Sequence, residues 1–181
     1  MTEDNISSLT AAWETKFNIA PCLRNVSWSN HFVRSTFTGV HRNPLWVLDY
    51  SRSATLKIKV GFNKAPWIDR GVREGHLYPP RTAYWEDWGP DDGRIHKGCY
   101  IIFTGGTGAG LQRFVHPHWK YAKFMDPHGR IEDLIHSMAL KGNGLDGKNF
   151  WDAQADFCRL MQVLESAVRG EKERWHIPPG A

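Results

Sequence analysis

Two adjacent prolines, Pro79 and Pro80, restrict this chain more than any other feature. Each fixes φ at about −65° and lacks an N–H, so neither a helix nor a central strand can run through them. The stretch His76–Trp88 therefore reads as a strand over Gly75–Tyr78, a forced corner, and a second strand over Thr82–Trp88. Tyr84, Trp85 and Trp88 leave the corner towards both faces of a sheet. A rigid corner that aims aromatics suits the mouth of a β-barrel, where ligand sites are common. Plain strand packing accounts for the same residues.

The chain around the corner is mostly strand. Val26–Arg34 and Leu45–Val60 are rich in β-branched and aromatic residues, the latter as a pair of strands around Ser51-Arg52-Ser53. In the second of these, Leu56, Ile58 and Val60 share one face and Lys57 and Lys59 the other. Ala65–Trp67 and Val72–Tyr78 continue as short strands, Gly89-Pro90-Asp91-Asp92-Gly93 is a turn, and Cys99–Phe103 has the composition of a fully buried strand. Many short strands with Gly/Pro turns point to a sandwich or barrel. Helical spacing appears only at the ends. Ile6, Leu9, Trp13 and Phe17 predict a short N-terminal helix capped by Asn5. Ile131, Leu134, Ile135 and Met138 mark a second helix, stopped by Gly142 and Gly144. A third runs from Asn149 with Phe150, Ala153, Phe157, Leu160, Met161, Leu164 and Val168 on its apolar side, and Gly170 is placed to end it. That stripe either rests wholly on its own core or leaves surface for a partner helix.

A chain of 181 residues with 41% hydrophobic content can bury one sizeable core, and its nine tryptophans suit organic ligands as well as packing. The net charge of +4 comes without a run of Lys or Arg, which excludes a nucleic-acid patch of the usual kind. Cys22, Cys99 and Cys158 are too far apart for a Cys-x-x-Cys site and fit a reducing compartment. With no basic-then-apolar leader and no long apolar run, the expectation is a soluble cytoplasmic protein without a membrane contact.

Few motifs carry chemistry. Gly105-Gly106-Thr107-Gly108-Ala109-Gly110 follows a strand, but Leu111-Gln112 stand where a phosphate loop needs Lys and Ser or Thr. It reads as a surface loop. His116-Pro117-His118 would place two imidazoles on one side of a strand, with Asp126 or His128 as a third metal ligand, or else two histidines on a loop. Glu86 and Asp87 are adjacent and point to opposite faces, against a cooperating carboxylate pair. Trp46, Leu48 and Tyr50 share a strand face behind Arg42. If it is the barrel interior, they form an aromatic wall with a guanidinium at its rim; if the exterior, they are packing residues.

The order of these features resembles the N-terminal, cupin-like effector-binding and dimerisation domain of AraC-type transcription regulators. The likeness is carried by Arg42 before Trp46–Tyr50, by Leu77-Tyr78-Pro79-Pro80 leading to Tyr84, by Tyr100–Phe103, and by the two helices that follow. It implies a mainly β fold, a cupin-like (double-stranded β-helix) barrel followed by two helices. Residues 1–20 would be the N-terminal helix or arm, 21–125 the barrel, and 126–181 the helical pair and tail. It implies a non-enzymatic effector sensor that binds a small organic molecule, such as a sugar, through Arg42, Trp46, Tyr50, Tyr84 and Tyr100. No cofactor is expected, the dimer contact is a homodimer through the C-terminal helices, and DNA is reached only through a helix-turn-helix module outside this chain. Tyr84 stands where the family has a histidine, and Glu74-Gly75-His76 replaces its Gly-Asp. The alternative is a metal-dependent cupin enzyme, a sugar isomerase or dioxygenase, with His116 and His118 as its foothold.

Overall fold

The computed structural model describes residues 8–12, 21–32, 39–53, 55–87, 96–105, 110–142 and 149–175. The strands are β1 (Ser8–Ala12), β2 (Cys22–Phe32), β3 (Trp46–Ser51), β4 (Leu56–Val60), β5 (Ile68–Arg70), β6 (Glu74–Tyr78), β7 (Tyr84–Asp87), β8 (His96–Thr104) and β9 (Ala122–Met125), followed by α1 (Arg130–Gly142) and α2 (Phe150–Trp175). They form one six-stranded sheet, β1-β2-β8-β3-β6-β9, and one three-stranded sheet, β5-β4-β7. Every pairing is antiparallel. The result is the mainly β architecture with two C-terminal helices that the strand and helix patterns imply.

The Pro79-Pro80 corner carries the chain from β6 in the large sheet to β7 in the small one. Arg81 takes φ 63°, its N–H donates to the Asn43 carbonyl at 2.6 Å, and Thr82 N–H donates to the Pro79 carbonyl at 3.2 Å. Ser51-Arg52-Ser53 makes a similar crossing. The strands on either side of it belong to different sheets and do not pair with each other. The strand expected at Ala65–Trp67 starts three residues later as β5. The left-handed Arg73 (φ 58°) holds the start of β6 to Glu74.

Most of the apolar core lies between the large sheet and the helices. Leu23, Val26, Trp28, Trp46, Leu48, Tyr50, Leu77, Ile101, Phe103 and Phe124 pack with Ile131, Ile135 and Met138 of α1 and with Phe157, Leu160, Leu164 and Val168 of α2. Burying a side chain of this size gives roughly 1.5–3 kcal/mol, so this layer dominates the folding energy. Two glycines fit it closely. A Cβ on Gly75 would overlap the ring of Phe124 across the β6–β9 ladder, and one on Gly105 would overlap the indole of Trp46.

Two helix expectations change. Residues 8–12 form an edge strand on β2, because the free backbone edge of β2 supplies partners that outweigh a weak helical period. The other residues of that expected helix lie outside the described segments, as do the Gly89–Gly93 turn and residues 106–109. At the far end α2 runs through Gly170 to Trp175. A Cβ on Gly170 would meet nothing within 4 Å, and the residue is not in the left-handed region that ends helices. The apolar stripe of α2 is spent on its own core: Ala153, Phe157, Leu160, Leu164 and Val168 are all buried. Among the described residues no helix is long and apolar enough to cross a membrane.

Candidate functional site

A strand buried on both faces alternates between two environments, and β3 separates them cleanly. Trp46, Leu48 and Tyr50 face the helices, and Val47 and Asp49 face the small sheet. The ladders extend Asp49 into a polar row across five strands: Ser27 on β2 opposes Tyr100 on β8, Tyr100 opposes Asp49, Asp49 opposes His76 on β6, and His76 opposes Lys123 on β9. The inner face of a sandwich ordinarily carries apolar residues. Here an apolar patch of Val47, Tyr78, Tyr84 and Tyr121 lies beside this row.

The small sheet meets the row with charge. Arg70, at the end of β5, is fully buried. Its Nη2 donates to Glu86 Oε1 at 3.0 Å, and its Nη1 pairs with Asp49 Oδ2 at 2.9 Å. Among the described residues Arg70 Nε has no acceptor, and Asn25 Oδ1 on the inner face of β2 is likewise buried without a donor. Each such atom is costly to leave unpaired. The Asp49 and Glu86 side chains each keep 13% exposure, so the cluster opens on the side of the carboxylates.

Their surroundings drive the two carboxyls apart in pKa. Burial and the Asp49 charge push the Glu86 carboxyl well above its ordinary range, against the pull of Arg70. Burial also opposes ionisation of Asp49, but the Arg70 charge and the hydrogen bond from Glu86 outweigh it and hold Asp49 below the ordinary range. The site therefore joins one guanidinium to two carboxyls, of which Asp49 ionises more readily and Glu86 holds its proton to higher pH. This division of roles between paired carboxyls is the usual way to obtain an acid and a base at neutral pH.

Around it the groups are tied in. His76 Nε2 lies 3.0 Å from Glu74 Oε1 and Nδ1 lies 3.1 Å from the Tyr78 hydroxyl. Burial depresses its pKa to about 4, so the ring is neutral. Lys123 completes the Glu74 pair at 2.9 Å. Tyr78 stacks on Tyr84 at 4.2 Å, and Tyr84 stacks on His41 at 4.9 Å, where residues 41 and 84 also form a backbone bridge. Burial lowers the His41 pKa, and the nearby Asp49 charge works against that.

The five residues expected at the site divide accordingly. Tyr84 and Tyr100 lie on the inter-sheet face, and Arg42 is exposed one residue beyond the His41–Tyr84 bridge. Trp46 and Tyr50 are on the opposite side of β3. Trp46 stacks near Phe103 at 6.3 Å beneath α2. The Tyr50 hydroxyl donates to Asp126 Oδ2 at 3.2 Å, and that oxygen also receives the Ile131 and Glu132 N–H groups at the start of α1. Trp46, Tyr84 and Tyr100 therefore do not converge on one space, and Tyr50 and Asp126 brace a helix N-terminus. Sequence reasoning missed Asp49, Arg70 and His76. For Asp49 and His76 the available signal was a polar residue in the middle of a buried strand; Arg70, at the end of the short polar β5, gave none.

The histidine pair sits differently from its strand expectation. Residues 116–120 form a turn, in which His116 Nδ1 accepts the N–H groups of His118 (3.2 Å) and Trp119 (3.3 Å) and the ring stacks on Trp119 at 4.1 Å. Among the described residues no three His, Cys, Asp or Glu side chains are grouped to hold a metal ion.

No protein-family model and no curated protein sequence matches the chain. Solved structures do. YhaK from Escherichia coli superposes with a TM-score of 0.45 at 10% identity, over 68% of this chain and 52% of YhaK. A variant of the oxalate decarboxylase OxdC from Bacillus subtilis gives 0.34 at 8% identity, over 57% of this chain and 31% of that protein. The chain thus matches about half the length of the first and about a third of the second. Both neighbours are cupin-fold proteins. At such TM-scores the likeness transfers no activity, substrate or residue role. One expectation is withdrawn: with an enzyme among its structural neighbours, the chain is no longer read as non-enzymatic.

Proposed function

We propose that this is a cupin-like domain that binds a small polar organic molecule on the inter-sheet face, with Asp49, Glu86, Tyr100 and Tyr84 as its contacts and Arg70 as its floor. One observation carries the reading: buried polar atoms without partners among the described residues, Arg70 Nε and Asn25 Oδ1, face the space between the sheets. A network that served only to stitch the sheets would leave no such atoms unmatched. A ligand with hydroxyl or carboxyl groups offers acceptors to the guanidinium and the Glu86 proton and donors to Asp49. The tyrosine–histidine stack gives it an aromatic shelf. A thermal-shift screen with sugars and small organic acids tests this. Tyr100→Phe and Asp49→Asn should each weaken a hit by about tenfold, the loss of one hydrogen bond to a charged or desolvated partner. Hits that neither change alters would refute the placement.

The meeting of two carboxyls on one guanidinium favours a second reading, catalysis at the same face, with Glu86, whose pKa is raised, as the acid. Under that reading Glu86→Gln keeps ligand affinity and abolishes turnover of the bound compound. The regulator role suggested by the sequence adds a dimer contact through the outward faces of α1 and α2. Sedimentation of the chain with and without a screening hit tests that addition.

A further inference from the structure

The outer face of the small sheet carries a second ordered pattern. The β5-β4-β7 register sets Asp69 and Asp87 on either side of Lys57. Two residues further along the strands, Trp85 lies directly opposite Lys59, and continuing the β4–β5 register brings Trp67 to its other side. An Asp–Lys–Asp row thus lies about 7 Å, two residues of strand, from a Trp–Lys–Trp row. The Lys59 ammonium stands 4.7 Å from the Trp67 ring centre and 4.6 Å from that of Trp85, and it donates to Asn63 Oδ1 at 3.2 Å. Lys59 is only 8% exposed and has no carboxylate partner among the described residues, whereas Trp67 is 44% and the neighbouring Phe62 65% exposed.

The charge of Lys59 therefore holds two indoles in place through cation–π contacts, so the cost of ordering them is met before anything binds. The exposed indole is flat and apolar, and the adjoining row offers both acceptors and a donor. Its two carboxylates outnumber its one ammonium, which disfavours a polyanion such as single-stranded nucleic acid and suits a neutral ring bearing hydroxyls. We propose that this face is a binding platform for a neutral saccharide, whose C–H face stacks on Trp67 while its hydroxyls meet Asp69, Lys57 and Asp87. The platform is separate from the inter-sheet site and stands whether or not that reading holds.

Titration of the full chain with cellotetraose, maltotetraose, xylotetraose and mannotetraose, followed by tryptophan fluorescence and calorimetry, tests it. At least one should bind. Trp67→Ala should weaken that binding about tenfold or more without lowering Tm, since the ring is on the surface, and Trp67→Phe should retain most of it. The proposal is overturned if none of the four binds at millimolar concentration. It is equally overturned if Trp67→Ala leaves the affinity unchanged, or if a dT decamer binds more tightly than every sugar.

Discussion

Asp49 and Glu86 stand on opposite sheets and meet on one guanidinium, with Arg70 Nη1 2.9 Å from the first and Nη2 3.0 Å from the second. The three residues come from β3, β7 and β5, so this contact joins the sheets beside the small apolar cluster of Val47, Tyr78 and Tyr84. Arg70→Ala should cost about 3–5 kcal/mol, because it leaves two carboxyls buried against each other. Replacing all three residues with apolar side chains of similar volume should recover most of that loss while abolishing ligand response. Urea unfolding of the two variants distinguishes a stitched sandwich from a working site.

The acid side of the stability profile should depend on Glu86. The folded pKa of His76, about 4, lies below its ordinary 6.5. As pH falls from 6.5 towards 4, the unfolded chain takes up a proton that the folded one refuses, and stability drops. Glu86 works in the opposite sense. Its folded pKa lies above 4.5, so its contribution is full below 4.5 and is lost as pH rises. Above pH 4.5 the two trends oppose each other for as long as the folded Glu86 keeps its proton. Glu86→Gln should unmask the His76 trend, with a slope of up to about 1.4 kcal/mol per pH unit where the parent is nearly flat. Parallel profiles for parent and variant would contradict the protonation assignment.

Tyr50 serves α1. Tyr50→Phe removes one hydrogen bond to the capping Asp126 and should lower stability by about 1 kcal/mol. Any ligand identified by the thermal-shift screen should bind the variant as it binds the parent. A lost ligand with unchanged stability would return Tyr50 to the site.

Gly170 lies inside a helix with open space where its Cβ would be. Gly170→Ala should raise stability by about 0.5–1 kcal/mol through the entropy of the unfolded chain. Measured by chemical denaturation, a loss would show that the helix does end near residue 170.

The local chemistry of the chain was legible where it acts over a few residues. Two prolines must break a strand, so the Pro79-Pro80 corner is where it was read, and the alternation of Leu56, Lys57 and Ile58 orients β4 correctly. The period of Ile131, Ile135 and Met138 likewise marks α1. The choice of face in Trp46–Tyr50 could not be read in the same way. Both sides of β3 are buried, and alternation alone does not say which side meets helices and which meets a second sheet. Only the packing of α1 and α2 decided it, by claiming Trp46 and Tyr50 for the core and leaving Asp49 to face Arg70 and Glu86. Those three are separated by 21 and 16 residues along the chain. They become a unit through the sheet crossings, which bring together charges that a strand pattern records one at a time.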